Sequence, residues 1–430
     1  MNLGIPTADF KISRRNFAAV TFLASGALAW FFVIYSFMSD IFTFIKVDTF
    51  WFYVGQAVFV GSTILSVIVG AMIAGKINVK RLLWAWIALG VLTTSSLLVF
   101  QGIFFSLLVS VLLGVSFGLG LPCSLGFLLN YTASEGRGRA AGAMIFETFA
   151  LAVVAVIVSD IALQVFASSD MAGITIVLLC IGLRSISIIG LVLTPFQREP
   201  GKERSWKIIF GNRTLILYLI PWIMFNIAVG LMSFVTNWIR QLPNFTDTYK
   251  QSLDLGNAIH FLMPVFFALI SGFVADRFGR KQPVIFGMII LGASFALLVY
   301  TSPLSLMVYL TLSGVAWGFL TVVYFTVPGD LAYAGSQEKF YALCAILPFI
   351  INLGIGGLAN FSGIGIPAAA LSSILTIIIF ASIIPVLRAP ETLSESVIRE
   401  KEAKEHVKKV EKLVEESRKK SKSQNSSREK

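Results

Sequence analysis

Residues 272–281 read GFVADRFGRK. Asp276, Arg277, Arg280 and Lys281 are packed into that decapeptide with two glycines, Gly272 and Gly279. The apolar run HFLMPVFFALIS (260–271) precedes it, and PVIFGMIILGASFALLVY (283–300) follows one residue later. A helix needs roughly 20 apolar residues to cross the hydrocarbon of a bilayer. The decapeptide is therefore read as an ordered turn between two membrane spans. The composition agrees: 56% of the 430 residues are hydrophobic and 13% charged, against about 25% charged in a soluble domain. The chain reads as a polytopic, all-α membrane protein.

The formal charge of +11 does not point to nucleic acid, because the cations lie in short loops and in the tail, where they orient spans. Cys123, Cys180 and Cys344 fall inside apolar runs at no metal or redox spacing and read as small core residues. No metal or cofactor is expected. The start, MNLGIPTADFKISRRNF, resembles the charged flank of a signal peptide, but the apolar run from Phe17 to Met38 is too long for one, so it reads as a retained first span.

Run length gives about twelve spans, near 17–38, 51–74, 82–100, 103–131, 140–163, 172–194, 215–239, 256–275, 282–300, 303–327, 340–360 and 367–387. The longest polar break within them, 195–214, separates a first half (1–194) from a second (215–388). A charged tail, 389–430, follows; Val407, Val410 and Val414 sit near helical spacing, suiting either a solvated appendage or a short amphipathic helix. Alternate loops hold Lys76, Lys80, Arg81, Arg137, Arg139, Arg198, Lys202, Arg204, Lys207, Arg213, Arg277, Arg280, Lys281 and Lys339 on one side, and Lys46, Arg240 and Lys250 on the other. That imbalance places the first set and both termini in the cytoplasm, with the plasma membrane as the expected location.

At such a turn Gly272 allows two backbones to approach. Asp276 suits the positive N-terminus of a neighbouring helix. Arg280, four residues on, can close back on Asp276 or reach an acid on another span. The decapeptide matches the loop signature G-x-x-x-D-R-x-G-R-K of the major facilitator superfamily, which the whole chain except the tail resembles. The resemblance implies two pseudo-symmetric six-helix bundles around a central cavity, rocking to give alternating access. It also implies a gating role for Gly272, Asp276, Arg277, Gly279, Arg280 and Lys281, with Arg137 and Arg139 from NYTASEGRGRAAG (130–142) and Asp330 from the corresponding loop of the second half. Asp330 is expected to pair with Arg277 or Arg280. The first-half counterpart, GAMIAGKINVKR (70–81), keeps Gly70, Lys80 and Arg81 but has Ala74 for the acid and Gly75 for the arginine; Asn130 replaces another acid. The closing APETL (389–393) resembles the end of many sugar-transporter-like members.

Ionisable residues at membrane depth are few. Glu147 and Arg184 lie at similar depths on adjacent spans, so they are expected either to weld two helices as an ion pair or to form a proton or substrate site. His260 is either hydrogen-bonded structure or a proton sensor, and Asp40 reads as a loop residue beyond the first span. By family analogy spans one, four, seven and ten face the cavity. They carry Trp30, Tyr35, Asn130, Tyr131, Trp222, Asn226, Asn237, Trp317 and Tyr324 and no charge in their midsections, which suits a neutral polar or amphipathic solute as well as interfacial anchoring. Gly114, Gly118, Gly354, Gly356 and Gly357 mark small-residue faces, and Pro221, Pro264 and Pro348 are expected to interrupt their spans. No Walker-type or catalytic cluster occurs in any loop, so an enzyme is not expected. The expectation is a monomeric secondary transporter of a small organic solute, open to proton coupling. Efflux of lipophilic compounds and a receptor signalling through the tail are the alternatives.

Overall fold

The computed structural model describes residues 14–166, 169–194, 204–242 and 247–393, with isolated tail positions 399, 403, 407, 410 and 411. Twelve helices make the bundle: α1 (Arg14–Ser36), α2 (Thr49–Ile73), α3 (Val79–Ser96), α4 (Ile103–Tyr131), α5 (Arg137–Val165), α6 (Ser169–Leu193), α7 (Arg213–Arg240), α8 (Asp247–Phe278), α9 (Lys281–Leu298), α10 (Pro303–Leu331), α11 (Gln337–Ala359) and α12 (Ala368–Arg388). Eleven are long and apolar enough to cross a membrane. The remaining one, α3, is diluted by Lys80 and Arg81 at one end and by Thr93 to Ser96 at the other. The apolar outer surface, with Phe104 at 92% exposure, is what a bilayer covers.

Polar side chains start several helices. Asp48 accepts from Trp51 N, Asn78 from Arg81 N and Asn212 from Leu215 N, while Ser302 and Ser305 form a capping box ahead of α10. The starts of α4 at Gly102 and α12 at Pro367 lack such a cap, and so do two at the arginine-rich end: α5 follows Gly136 and α9 follows Arg280, neither with a side-chain capping bond of its own. Both α5 and α9 are capped from elsewhere, and that determines the site described below.

Glycines set the closest helix contacts. A side chain at Gly118 would come within 2.5 Å of Thr63 O and 2.9 Å of Val67 N, so the Gly114–Gly118 face packs α4 directly on α2. Gly354 instead faces open space. Pro221 and Pro264 do not interrupt α7 and α8, which run on through them. Pro348 is followed by a π-turn over Asn352–Gly356, and its missing N–H leaves Cys344 O to accept from Trp222 Nε1 at 3.1 Å.

Two cores result. One gathers α1 to α6 and spills over to Val265, Ala268, Val322, Tyr341, Ala342 and Ile346. The other is built from α7 to α12 and the short helix Trp206–Phe210. The halves meet along two seams, α5 on α8 and α2 on α11. Residues 195–203 of the expected central loop, and Val414, lie outside the described residues. The tail expected from 389 begins, by packing, later: Ala389 and Leu393 are buried against the bundle.

Candidate functional site

The α5–α8 seam is sealed by the decapeptide. Asp276, at the end of α8, accepts from Gly138 N at 2.8 Å and Arg139 N at 2.9 Å with different carboxylate oxygens. It thereby caps α5 across the boundary between the halves, placing a negative charge on the positive end of that helix. Arg139 Nε adds a bond at 3.0 Å. The approach needs the glycines, since a Cβ at Gly272 would come within 2.5 Å of Gly138 O, and one at Gly142 within 2.6 Å of Ala268 O.

Asp330 is the second anchor. Its two oxygens take Arg137 Nη1 and Arg280 Nε, the latter at 2.8 Å. Arg280, fully buried, also donates to Asp276 at 2.8 Å, to Ala275 O at 2.8 Å and to Ser134 O of the first half at 2.5 Å. Burial is the largest influence on this guanidinium and works against its charge. Asp330 and Asp276 together outweigh burial and hold its pKa above the ordinary arginine value. Of the two partners expected for Asp330, then, it is Arg280 that reaches it, joined by Arg137. Arg277 points outward, its guanidinium 5.7 Å and 5.4 Å from the ring centres of Phe273 and Phe278.

Glu391 completes the cluster, although the sequence marked it only through APETL. Its carboxylate accepts from Arg280 N at 2.8 Å and Lys281 N at 3.3 Å, supplying the cap α9 lacks. Gly279 turns with a positive φ of 100° and leaves room for that carboxylate. Thr392 Oγ1 reaches Asp330 at 3.3 Å, and Lys281 Nζ reaches Leu387 O at 3.4 Å.

The α2–α11 seam carries neutral residues at four of the matching positions, although Lys339 stands where the other seam has Arg139 and Lys80 and Glu338 line the same end. Ala74 stands where α8 has Asp276, Asn78 where the second half has Arg280, and Asn130 where it has Asp330. Gln337, at the position matching Arg137, donates to Asn130 Oδ1 at 3.3 Å, a neutral bond in place of an ion pair. A cavity of about 390 Å³ lies here, lined by Gly75, Asn78, Lys80, Cys123, Phe127, Asn130 and Glu338 among others.

Deeper in, aromatic side chains close the space between the halves. Phe32 of α1 and Phe149 of α5 meet Trp317 of α10 at 5.7 Å and 4.7 Å, with interplanar angles of 81° and 79°. Phe31 and Phe117 meet Phe349 of α11 at 5.1 Å and 6.0 Å, at 81° and 82°. Each edge-to-face pair contributes about 0.5–1.5 kcal/mol. Within a half, Phe31 lies flat on Phe117 at 19° and 4.4 Å and His260 on Trp317 at 24° and 5.2 Å, while Phe31–Phe32 and Phe261–Trp317 are edge-on at 69° and 62°.

Glu147 and Arg184 do not pair. Equal depth is not adjacency, because α1 packs against both α5 and α6. Glu147 faces Thr21 and Ser25 of α1, and its Oε1 is buried without a hydrogen bond, as is Ser25 Oγ. Arg184 lies 4.0 Å from the ring centre of Trp86 and 5.3 Å from that of Trp30, and donates to Trp86 O and Ser116 O at 3.0 Å and 2.8 Å. Gly90 makes room for it. His260 Nδ1 bonds Leu310 O at 3.1 Å.

The residues expected to line a cavity divide. Trp30 is fully buried in the first core, bonded to Thr94 Oγ1 at 3.0 Å. Trp222 stacks on Tyr324 at 4.4 Å inside the second core, Asn226 donates to Trp222 O at 2.8 Å, and Tyr324 donates to Tyr218 O at 2.7 Å. These four are core residues because their polar atoms are satisfied within their own half, Trp30 by the Thr94 hydroxyl and the other three by backbone carbonyls. Asn237 likewise donates to Ala359 O at 2.9 Å. Tyr35 stacks on Phe31 at 5.9 Å and is 37% exposed, and Tyr131 stacks on Phe127. Asn130 lies at the charged end and Trp317 at the junction.

The family model of the Major Facilitator Superfamily matches residues 17–345. Among solved structures, the proton:xylose symporter XylE, determined with 6-bromo-6-deoxy-D-glucose bound, is similar with a TM-score of 0.61 and 12% identity. The match covers 88% of this chain and 95% of that one, a likeness of fold. No curated protein matches the sequence. With the family model spanning most of the chain and the helices arranged as described, the protein belongs to the Major Facilitator Superfamily, a multi-pass membrane transporter and not an enzyme.

Proposed function

We propose that the protein moves a small, neutral or amphipathic organic solute across the plasma membrane by alternating access, as a monomer with the arginine-rich end in the cytoplasm. The halves 1–194 and 215–388 rock about the aromatic junction, and 195–214 links them. The carrying observation is the Asp276–Asp330–Arg280–Arg137 network. Its contacts cross the boundary between the halves, Asp276 to Gly138 N and Asp330 to Arg137, or brace it from within the second half, Arg280 to both aspartates. Gly272, Arg139, Gly279, Lys281 and Glu391 hold its geometry. Arg277, exposed beside it, serves topology rather than closure.

Proton coupling is favoured by one specific feature. Glu147 stands about ten residues, or ~15 Å, into α5, facing the hydroxyls of Thr21 and Ser25 and ion-paired with no cation among the described residues. A carboxyl without a counter-charge at that depth is suited to take up a proton. Arg184, held between tryptophans, and His260, bonded to backbone through Nδ1, carry no coupled proton on this reading. The lipophilic-efflux alternative shares the same latch and differs in direction; the receptor alternative needs the tail. Solute uptake into proteoliposomes, with and without a pH gradient, tests the proposal. Uptake is expected from wild type and from a chain ending after Leu393. Glu147→Gln is expected to lose the response to the gradient while remaining folded. Absence of flux for every solute class, or loss of all flux with the tail, would reject it.

A further inference from the structure

We infer that the aromatic junction is the solute-binding site, and that it selects an uncharged aromatic solute carrying a hydrogen-bond donor, of the phenol or indole type; this rests on the transporter reading above. Every aromatic pair described above between the halves meets edge-to-face, whereas Phe31 on Phe117 and His260 on Trp317 lie flat within their own halves. Parting the halves therefore leaves the flat stacks intact and frees the edge-on contacts of Phe31, Phe32, Phe149, Trp317 and Phe349. A planar ring entering between them replaces those contacts with equivalent ones.

The polar groups narrow the class. Leu310 O can only accept, so the Nδ1 it bonds carries the ring hydrogen, and His260 Nε2 is left as an acceptor with no partner among the described residues. That single acceptor asks for one donor. A sugar would bring many hydroxyls to a place where Asn226 and Asn237 are already bonded to backbone of their own half. Arg184 is fully buried between Trp86 and Trp30, with Nε and Nη1 making no hydrogen bond among the described residues, so the benzoate arm below decides whether an anion reaches it. Glu147 is turned to Thr21 and Ser25, away from the junction residue Phe149 two positions along the same helix.

Thermal unfolding of the purified full-length protein with indole, phenol, toluene, benzoate or xylose tests this inference, because a ligand of the folded state raises the midpoint by mass action. Indole and phenol are expected to raise it, toluene to act about tenfold more weakly for want of the donor, and benzoate and xylose to leave it unchanged. His260→Gln, which retains an acceptor, should keep the preference for indole over toluene, and His260→Leu should abolish it. Phe349→Leu and Trp317→Phe, two mild changes, should weaken indole binding; should either fail to fold, the histidine pair still decides. A shift with xylose or benzoate but not indole overturns the inference, as does equal response to indole and toluene in wild type and His260→Leu. Counterflow in proteoliposomes separates the two levels. Xylose counterflow without indole binding leaves the transporter standing and removes the aromatic site. Indole binding with no counterflow of any solute counts against the transporter reading and thus against a transport site.

Discussion

The two seams between the halves have the same plan and opposite chemistry. Along α5–α8, Asp276 caps a helix of the other half, and Asp330 joins two buried arginines. Along α2–α11, alanine and asparagine stand in the matching places, an amide pair replaces the ion pair, and a cavity remains. Pseudo-symmetry of fold has therefore not kept symmetry of strength. The difference leads to the expectation that the α2–α11 wall is the weaker of the two and parts first.

Asp330→Ala carries the largest expected effect, because it strands two arginines in a buried site. Breaking such a pair costs about 3–5 kcal/mol. The midpoint of thermal unfolding should fall, and maleimide should label Cys123, buried beside the cavity of the opposite seam, faster in a Cys180→Ser/Cys344→Ser background. Asn130→Ala, the matching change in the other seam, which removes the acceptor of the Gln337 bond, should cost about 0.5–1.5 kcal/mol. Equal costs would break the comparison.

Next come the glycines. Gly272 meets the other half at Gly138 O, whereas Gly70 meets Leu119 O of its own half. Gly272→Ala should thus force the seam apart at about 1–3 kcal/mol and change labelling of Cys123 more than stability. Gly70→Ala should do the reverse. Asp276→Asn, which keeps an acceptor but loses the charge, should weaken closure by about 1–3 kcal/mol, read as altered transport in proteoliposomes.

A smaller effect sharpens the contrast from the other side. Ala74→Asp alone would place a carboxylate near Glu338, which shares the cavity with Gly75. The double change Ala74→Asp/Glu338→Gly should instead install a cap on α11 and gain about 0.3–2 kcal/mol, slowing Cys123 labelling. The smallest effect concerns alkaline pH. The folded pKa of Arg280 is raised, so its contribution is fully present below the unfolded value and lost only as pH climbs past the raised one. The closure measured by labelling should therefore be unchanged between neutral pH and about pH 10.

Much of the charged end was legible in ten residues. Gly272 as a close contact, Asp276 on a neighbouring helix start and Arg280 returning to Asp276 all follow from helix geometry and the dipole. The choice of Arg280 over Arg277 was not legible, because three residues along a turn decide which side chain faces inward. Glu391 was visible only as part of a short terminal resemblance; its capping role needs the chain to return beside α9. Depth counting placed Glu147 and Arg184 at one level but gave no sign that α1 would stand against both. The same gap hid the burial of Trp30, Trp222, Asn226 and Tyr324, since a sequence shows which residues occur on a span but not which neighbour each face meets.

What the sequence alone determined is the set of local and one-dimensional facts: apolar runs long enough to cross hydrocarbon, loops marked by cations, and a turn whose residue types suit a helix end. These depend on each segment's own free energy of transfer and hydrogen bonding. Tertiary structure decided the rest: which helix receives Asp276, which arginines share Asp330, and which rings meet across the middle. Those outcomes depend on the azimuth and crossing of packed helices, and packing is a property of pairs that no single segment contains.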